Sequence, residues 1–195
     1  MDPRARITLI SHATTAALRK AAFPTDEALE VEGHVRERIM HWHPPSAQLV
    51  CSAPERRALQ TAELLGLSPS IDVQLRDCNY GVWAGRELTE IQVTTPEAVA
   101  TWLQDPAAVP HGGESISHLI ARVADWLATH TNYRHTLAVT HAAVIRSAVV
   151  TILHTPATAF WRIDIEPLSL TQLQFSGSVW NVRYLGAPIG MRNTP

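Results

Sequence analysis

The sequence predicts an α/β fold: three layers, α/β/α, with a mostly parallel central sheet and a C-terminal antiparallel hairpin. Short apolar runs of strand length alternate with longer segments of helical periodicity, and this alternation favours parallel strands joined by helices. The hairpin is predicted by apolar–polar alternation over residues 168–175 and 179–184, on either side of a Ser-Gly-Ser turn. Connections between parallel strands are nearly always right-handed, so helices are expected on both faces of the sheet.

Length and composition fit one domain spanning residues 1–195. A chain of 195 residues that is 46% hydrophobic can bury a sizeable core, which excludes disorder throughout. The formal net charge of -2 argues against nucleic acid or an anionic membrane as the main partner. Cys51 and Cys78 lie far apart, and no apolar run approaches the ~20 residues that cross a bilayer. We therefore expect a cytoplasmic protein, and its oligomeric state is open, with a homodimer as one alternative.

The first half of the chain supplies two strand–helix pairs. The apolar run at residues 7–10 predicts a first buried strand, and helical spacing over residues 29–42 predicts a helix that ends before a pair of prolines. A second short strand is predicted at residues 48–51. The helix that follows runs over residues 54–66, with proline in its first turn and glycine at its end, as helix capping favours.

The second half continues the same alternation. An edge strand is predicted at residues 71–75, and short helices and loops at residues 80–110. Ser115 is a good N-cap for an amphipathic helix that extends to Thr129. A strand is then predicted at residues 136–140, and an almost entirely apolar helix at residues 142–153.

Chemically active residue types follow the predicted strands. His12 follows the first strand, Arg57 lies just beyond the second, Asp77 follows the edge strand, and His141 follows the strand at residues 136–140. Ligands in open α/β sheets bind beyond the carboxyl ends of the strands, so these side chains are expected to converge. An imidazole can attack phosphorus, a second imidazole and an arginine can hold the anionic oxygens, and a carboxylic acid can protonate a leaving alcohol.

The ordered motifs resemble those of the histidine phosphatase superfamily, also called phosphoglycerate-mutase-like. The likeness extends over nearly the whole chain. The matching blocks are Ile10-Ser11-His12-Ala13-Thr14-Thr15, Cys51-Ser52-Ala53-Pro54-Glu55-Arg56-Arg57-Ala58-Leu59-Gln60-Thr61-Ala62, Leu75-Arg76-Asp77 with Tyr80-Gly81-Val82-Trp83-Ala84-Gly85, His111-Gly112-Gly113-Glu114-Ser115, and Val139-Thr140-His141-Ala142-Ala143-Val144.

The resemblance implies a role for each matching residue. His12 would be the phosphorylated nucleophile, His141 the second histidine at the phosphoryl group, and Asp77 would stand where the family usually has a glutamate proton donor. Arg57 would bind phosphate oxygens, with Ser11 and Ala142 beside the phosphate. The resemblance also implies that no metal and no organic cofactor takes part.

Two departures from the family pattern affect these roles. Ser11 stands where an arginine normally precedes the nucleophilic histidine, and Ala13 replaces the following glycine. A serine brings no charge, and the loss of one donor to an oxyanion can cost about 10²–10³ in rate. Candidates for a replacement cation or for the rim of the site are Arg19, Arg56, Arg76, Arg146 and Glu114. Purely structural interpretations of three of these residues are also open. Arg56 would lie on a solvated helix face, Glu114 would only precede the start of a helix, and Asp77 would be a turn residue.

The predicted function is hydrolysis of a small phosphorylated substrate through a phosphohistidine on His12. Hydrolysis is favoured over mutase activity because a chain of 195 residues leaves little room for substrate-capping insertions. The alternative is a weakened member that binds a phosphorylated metabolite or phosphoprotein without efficient turnover, and Ser11 keeps it open. Assays with p-nitrophenyl phosphate, comparing the wild type with His12→Ala, separate the two.

Overall fold

A six-stranded mixed sheet organises the molecule, in a computed structural model that describes residues 5–40 and 42–190. The strands are β1 (Arg6–Ser11), β2 (Leu49–Ser52), β3 (Ser70–Ile71), β4 (Thr136–Thr140), β5 (Ser169–Ser176) and β6 (Val179–Pro188). Their order across the sheet is β3-β2-β4-β1-β5-β6. The first four of these are parallel, whereas β5 and β6 are antiparallel to their neighbours. The predicted α/β fold with its C-terminal hairpin is confirmed.

Seven α-helices connect the strands of the described chain. They are α1 (Ala16–Arg19), α2 (Gly33–Met40), α3 (Arg56–Leu64), α4 (Leu88–Thr94), α5 (Pro96–Gln104), α6 (Ile116–Thr129) and α7 (Ala142–Leu153). The right-handed crossover rule places α2 and α3 on one face of the sheet and α6 on the other. The Ser115 hydroxyl accepts a hydrogen bond from the backbone N–H of His118, which confirms the predicted N-cap of α6.

The two central strands, β1 and β4, form the most deeply buried part of the sheet. Every residue of β4 is buried, and so are the last five residues of β1. Strands covered on both faces are continuously apolar, which explains why the pattern at residues 7–10 predicted a buried strand. The chain leaves β1 towards β2 and leaves β4 towards β5, in opposite directions across the sheet. The carboxyl ends of β1 and β4 therefore flank a topological switch point, where α/β sheets bind ligands.

Two predicted elements differ from the structure. The edge strand expected at residues 71–75 is wrong beyond Ile71, because residues 73–75 form a 3₁₀ turn. The side chain of Asp72 accepts from the backbone N–H of Gln74, a local hydrogen bond that competes with strand pairing. The helix expected over residues 29–42 begins only at Gly33, because Leu29 instead pairs with Thr15 in an isolated bridge.

A small aromatic cluster lies beside the carboxyl ends of the strands. It is built from Phe23, Trp83, Ile91, Val99 and Trp102. All of these except Phe23 come from the region predicted as short helices and loops, residues 80–110. Tyr80 packs against both this cluster and the main core. The cluster therefore supports the loop that carries Asp77 and Tyr80 over the edge of the sheet.

Candidate active site

His12 and His141 lie side by side where β1 and β4 end. Ser11 and Thr140 are register partners in the parallel pair, so the next residue of each strand emerges at the same edge. The backbone N–H of His12 donates to the Thr140 carbonyl over 3.0 Å. The centroids of the two imidazole rings are 5.2 Å apart, and the rings meet edge to face. The expected convergence of the two histidines is confirmed.

The ring of His12 presents a free nitrogen lone pair. Its Nδ1 lies 2.7 Å from the Ala13 carbonyl oxygen, and a carbonyl can only accept, so Nδ1 carries the proton. Burial, with the facing His141 and Arg57, lowers the pKa of His12 to about 4 although the bond to Ala13 opposes the shift. The ring is therefore neutral at pH 7, and Nε2 is the nitrogen that can attack.

Arg57 is a fully buried cation in the first turn of α3. Its side chain is 2% exposed, and such a charge requires partners. Nη1 donates to the Thr25 carbonyl over 2.5 Å, and Nη2 donates to Oδ2 of Asp77 over 2.7 Å. Nε is buried without a hydrogen-bond partner in the described structure. Arg57 thus holds Asp77 in place and keeps one donor unused.

Asp77 follows the 3₁₀ turn and faces both Arg57 and His141. Its Oδ1 accepts from the backbone N–H of Cys78 over 2.8 Å, and its Oδ2 lies 3.4 Å from Nδ1 of His141. Burial favours the neutral acid, but the facing His141 and Arg57 outweigh it and lower the pKa of Asp77 below its ordinary value. The carboxyl group is consequently ionised at neutral pH in the ligand-free site.

Glu55 belongs to the same cluster, and sequence reasoning assigned it no role. It stands at the N-cap position of α3, where its Oε2 accepts from Nε2 of His141 over 2.8 Å. Its Oε1 accepts from the backbone N–H of Asp77 over 3.0 Å. Burial opposes ionisation, but these contacts with His141 and Asp77 lower the pKa of Glu55. In the sequence, Glu55 was recognisable only as an acidic residue within the motif that contains Arg57.

A cleft of about 410 Å³ opens beside these groups; His12 and Asp77 line it, whereas Arg57, His141 and Glu55 are not among its lining residues. His12, Asp77, Tyr80, Ala142 and Arg146 are among the residues that line it. Nδ1 of His141 is buried without a hydrogen-bond partner, as is Nε of Arg57. A buried polar atom without a partner is costly, and an anion placed beside the ring of His12 would supply a partner to both of these atoms. An N–H donor of Arg57 and the ring of His141 can hold the oxygens of an anion against Nε2 of His12.

Ser11 lies at this edge of the sheet, but its hydroxyl is used within the protein. The side chain is buried, and Oγ donates to the Glu166 carbonyl over 2.5 Å and accepts from the backbone N–H of Ser169 over 3.0 Å. These bonds fasten the end of β1 to the segment before β5. The loop before β5 therefore takes up the hydroxyl of Ser11, and a contact between Ser11 and phosphate stays a prediction.

The expected rim residues divide into two groups. Arg146 lines the cleft, with its guanidinium 3.9 Å from Asp164 and over the ring of Phe160. Arg19, Arg56 and Glu114 do not appear among the lining residues. Arg19 pairs with Glu30 and Glu32 at the surface. Glu114 pairs with Arg122 and Arg76. Arg56 is exposed at the start of α3.

Three further observations concern the described residues as a whole. Among residues 5–40 and 42–190, no group of three or more His, Cys, Asp or Glu side chains is arranged to hold a metal ion. Within the same ranges, none of the helices combines the length and apolar character needed to cross a bilayer. A larger cavity of about 680 Å³ lies between α6, α7 and the β5–β6 hairpin, but it is mostly apolar and contains none of the groups described above.

Comparisons with known proteins give matches over most of the chain. The model of the histidine phosphatase superfamily (branch 1) matches residues 7–188. A protein of Hydrogenobacter thermophilus named "Putative phosphoserine phosphatase 2" is 24% identical over 92% of this chain and 94% of its own. A glucosyl-3-phosphoglycerate phosphatase of Mycobacterium tuberculosis is 29% identical over 55% of each chain. Among solved structures, the alpha-ribazole phosphatase of Shigella flexneri superposes with a TM-score of 0.79 at 21% identity, covering 96% of this chain and all of that one (100%).

Proposed function

Because the chain belongs to the histidine phosphatase superfamily, we propose that it hydrolyses a small phosphomonoester through a phosphohistidine formed on His12. The named relatives are phosphatases, which supports a phosphoric monoester hydrolase. The match over residues 7–188 supports treating this chain as one catalytic domain.

In the first step, Nε2 of His12 attacks the phosphorus atom and forms an N–P bond while the ester P–O bond breaks. Arg57 and His141 donate hydrogen bonds to the phosphoryl oxygens, whose charge is spread in the transition state. The leaving oxygen takes a proton from the acid form of Asp77, which lines the cleft; the bound phosphoester favours this form, because a like charge next to the carboxyl group raises its pKa. Charge-assisted donors of this kind contribute most when they are held rigidly in a buried site, as Arg57 is by Thr25 and Asp77.

In the second step, water attacks the phosphohistidine from the side that the alcohol has left. Asp77, now a carboxylate again, accepts a proton from the water as the N–P bond breaks. Phosphate is released, and the electron pair returns to Nε2 of His12. The hydrogen bond from Nδ1 to the Ala13 carbonyl is maintained throughout, so the same nitrogen is free for each cycle.

The observation that carries the proposal is the pairing of a neutral, oriented His12 with the buried donors Arg57 and His141. The test is hydrolysis of p-nitrophenyl phosphate in the presence of EDTA, followed by alkaline quench after exposure to ³²P-labelled donor. We expect turnover that survives EDTA and label on His12, with both lost in His12→Ala. Label on another residue, with turnover intact in His12→Ala, contradicts the assignment.

The substrate is proposed to be small, because the cleft of about 410 Å³ is the size of a metabolite site. A panel should include phosphoserine and glucosyl-3-phosphoglycerate, the compounds named for the relatives. The alternative function is binding without efficient turnover. Ser11 favours it, because a serine supplies no positive charge to the phosphate and its hydroxyl is bonded to the loop before β5. Tight binding of a panel compound with no phosphate release, measured by calorimetry, is the outcome that favours this alternative.

A further inference from the structure

Arg122 is a largely buried cation that none of the steps above uses. It lies within α6, and its side chain is 11% exposed. It is not among the residues that line the cleft or the larger apolar cavity. A buried guanidinium needs partners for its N–H groups, so the groups that accept from Arg122 indicate its role.

Three of the acceptors are backbone carbonyls of one short segment. Nη1 of Arg122 donates to the Gln74 carbonyl over 2.5 Å and to the Arg76 carbonyl over 3.1 Å. Nη2 donates to the Asp77 carbonyl over 3.4 Å. Gln74 lies in the 3₁₀ turn, and Arg76 and Asp77 are the two residues that follow the turn. The guanidinium therefore binds, at three points, the main chain that leads into Asp77.

Glu114 holds this guanidinium in its orientation. Its Oε1 accepts from Nε of Arg122 over 2.9 Å, and its Oε2 accepts from Nη2 over 2.8 Å. Such a bidentate pair fixes the plane of the guanidinium as well as its position. The backbone N–H of Glu114 also donates to the Asn79 carbonyl over 2.7 Å. The loop is thus fastened, both before and after Asp77, to α6 and the segment just before it.

The main chain of Asp77 is held at both of its polar groups. Its N–H donates to Oε1 of Glu55 over 3.0 Å, and its carbonyl accepts from Arg122. Oδ1 of Asp77 accepts from the backbone N–H of Cys78, so the carboxyl group is fixed to its own loop and moves with it. A displacement of about 1 Å at a reacting group can cost on the order of 10²-fold in rate. The reach of Asp77 to a leaving oxygen therefore depends on the groups that fix this backbone.

We propose that Arg122 is a positioning residue for the acid step: it fixes the backbone of residues 74–77 so that the acid form of Asp77 reaches the leaving oxygen. The inference rests on the proposed function. It adds a residue that acts through the main chain of Asp77 and lies outside the lining of the cleft. Glu114 is part of the same arrangement, because its carboxylate orients the guanidinium.

A purely structural role of Arg122 predicts a different pattern of losses. Loss of stability alone lowers the amount of folded enzyme, and this affects every substrate by the same factor. Displacement of Asp77 affects a substrate according to its need for an acid. p-Nitrophenolate leaves with little help from an acid, whereas the alkyl alcohol of glycerol 2-phosphate depends on protonation. The ratio of the kcat/KM values for these two esters therefore reports the position of Asp77 and not the stability of the fold.

The experiment measures this ratio in Arg122→Lys. The lysine keeps the positive charge beside Glu114, but a compact ammonium group cannot bond to the carboxylate and to three carbonyls at the same time. We expect kcat/KM for glycerol 2-phosphate to fall roughly tenfold more than kcat/KM for p-nitrophenyl phosphate. Because kcat/KM includes only the steps up to release of the alcohol, the later hydrolysis of the phosphohistidine does not enter the comparison.

A second measurement tests whether the effect passes through Asp77. In Asp77→Asn the acid is already absent, so the addition of Arg122→Lys should change kcat/KM for glycerol 2-phosphate only roughly twofold or less. A full loss of about tenfold in the Asp77→Asn background would show that Arg122 acts independently of Asp77. That result overturns the positioning role.

Controls separate this inference from a loss of structure and from the proposed function itself. Arg134→Lys is the matched control, because Arg134 is exposed in the loop before β4, and it should leave the ratio of the two esters unchanged. Thermal unfolding establishes that each assayed variant is folded, and Glu114→Gln takes the place of Arg122→Lys, with the same expected ratio, if the lysine variant does not fold. Equal losses on both esters overturn the positioning role while the phosphatase stands. Absence of phosphate release and of phosphohistidine in the wild type instead overturns the proposed function.

Discussion

Arg57 donates from Nη2 to Oδ2 of Asp77 over 2.7 Å, and both side chains are largely buried beneath the cleft. One cation therefore serves two purposes in the site. Together with the facing His141 it lowers the pKa of Asp77 and it orients the carboxyl group, while its Nε remains available to an anion. Since each member of the pair is buried, removal of either one leaves an uncompensated charge in the interior.

The first prediction concerns this ion pair. Arg57→Met should lower the free energy of unfolding by about 3–5 kcal/mol, because Asp77 is left buried and unpaired. The double variant Arg57→Met/Asp77→Asn should recover a large part of this loss, since the neutral amide no longer needs the guanidinium. Urea unfolding of the two single variants and the double variant measures the coupling.

Activity should not recover in that double variant. The anion loses a charged donor and the leaving group loses its acid, so p-nitrophenyl phosphate turnover should stay at least about 10²-fold below the wild type. Equal stability of Arg57→Met and the wild type contradicts the buried pair. Restored turnover in the double variant contradicts the roles of both residues.

The second prediction concerns acid stability. The pKa of His12 is about 4 in the folded protein, below the ordinary value of 6.5, so the unfolded chain takes up this proton first as pH falls. The contribution of His12 is therefore fully present above pH 6.5 and is lost between pH 6.5 and 4. It corresponds to about 3 kcal/mol of stability at one site.

His12→Asn should remove this dependence, so its unfolding free energy should fall less than that of the wild type between pH 7 and 4. The measurement is urea unfolding at pH 7, 5.5 and 4, with exposed His118→Gln as the matched control. Asp77 has a lowered pKa and also contributes in acid, but it is present in both proteins, so the difference between their curves reports His12. Parallel pH curves for His12→Asn and the wild type are the result that argues against a buried neutral ring.

The third prediction concerns the loop that carries Asp77. A Cβ added at Gly113 would lie 2.0 Å from the carbonyl oxygen of Asn79, a backbone atom that cannot move aside without displacing the loop. The neighbouring backbone N–H of Glu114 donates to the same oxygen over 2.7 Å. Gly113→Ala should therefore lower the free energy of unfolding by about 1–3 kcal/mol and reduce turnover.

Gly33→Ala is the matched control, because a Cβ at Gly33 meets nothing within 4 Å. Its unfolding midpoint and turnover should match or slightly exceed those of the wild type. The comparison is made by thermal unfolding and by p-nitrophenyl phosphate turnover in both variants. Similar midpoints for the two alanine variants would show that the Asn79–Gly113 contact is not constrained.

The two central strands and the proximity of His12 and His141 could be predicted from the sequence, and the reason is physical. The two central strands are covered on both faces, so their apolar runs are continuous and their ends are sharply marked by polar residues. His12 and His141 are the first polar residues beyond those ends. Their proximity then follows from parallel register, which needs no knowledge of side-chain packing.

The roles of Glu55 and Ser11 could not be predicted in this way. An acidic residue at a helix N-terminus is favourable in any helix, so Glu55 is explained locally until its contact with His141, 86 residues away, is known. Ser11 bonds to a loop more than 150 residues further along the chain. Local pattern carries no information about either contact, because both depend on how distant loops pack. The 3₁₀ turn at residues 73–75 was not predicted although its cause is local. The Asp72 side chain accepts a hydrogen bond from the backbone N–H of Gln74, and this bond favours the turn over the strand that the sequence pattern predicted.

The final prediction concerns the position where the family pattern has an arginine. Ser11→Arg restores the residue type, and it can act in two opposite ways: it can raise turnover through a new phosphate contact, or lower turnover through crowding. Ser11 is only 2% exposed, and its hydroxyl bonds both to the Glu166 carbonyl and to the backbone N–H of Ser169. An arginine removes these bonds and places a guanidinium stem within a packed interior, so we expect crowding.

The expected result for Ser11→Arg is a loss of about 2 kcal/mol or more in unfolding free energy, with turnover below that of the wild type. Ser11→Ala separates the two causes, because it removes the hydrogen bonds without adding volume. It should show the smaller loss of stability and nearly retain the KM for p-nitrophenyl phosphate, since the hydroxyl is turned to the loop before β5 and not to the anion. Higher turnover in a folded Ser11→Arg variant is the opposite outcome, and it would mean that the loop before β5 yields and that position 11 faces the phosphate. A large rise in KM for Ser11→Ala would lead to the same conclusion from the other direction, because only a hydroxyl in contact with the substrate could produce it.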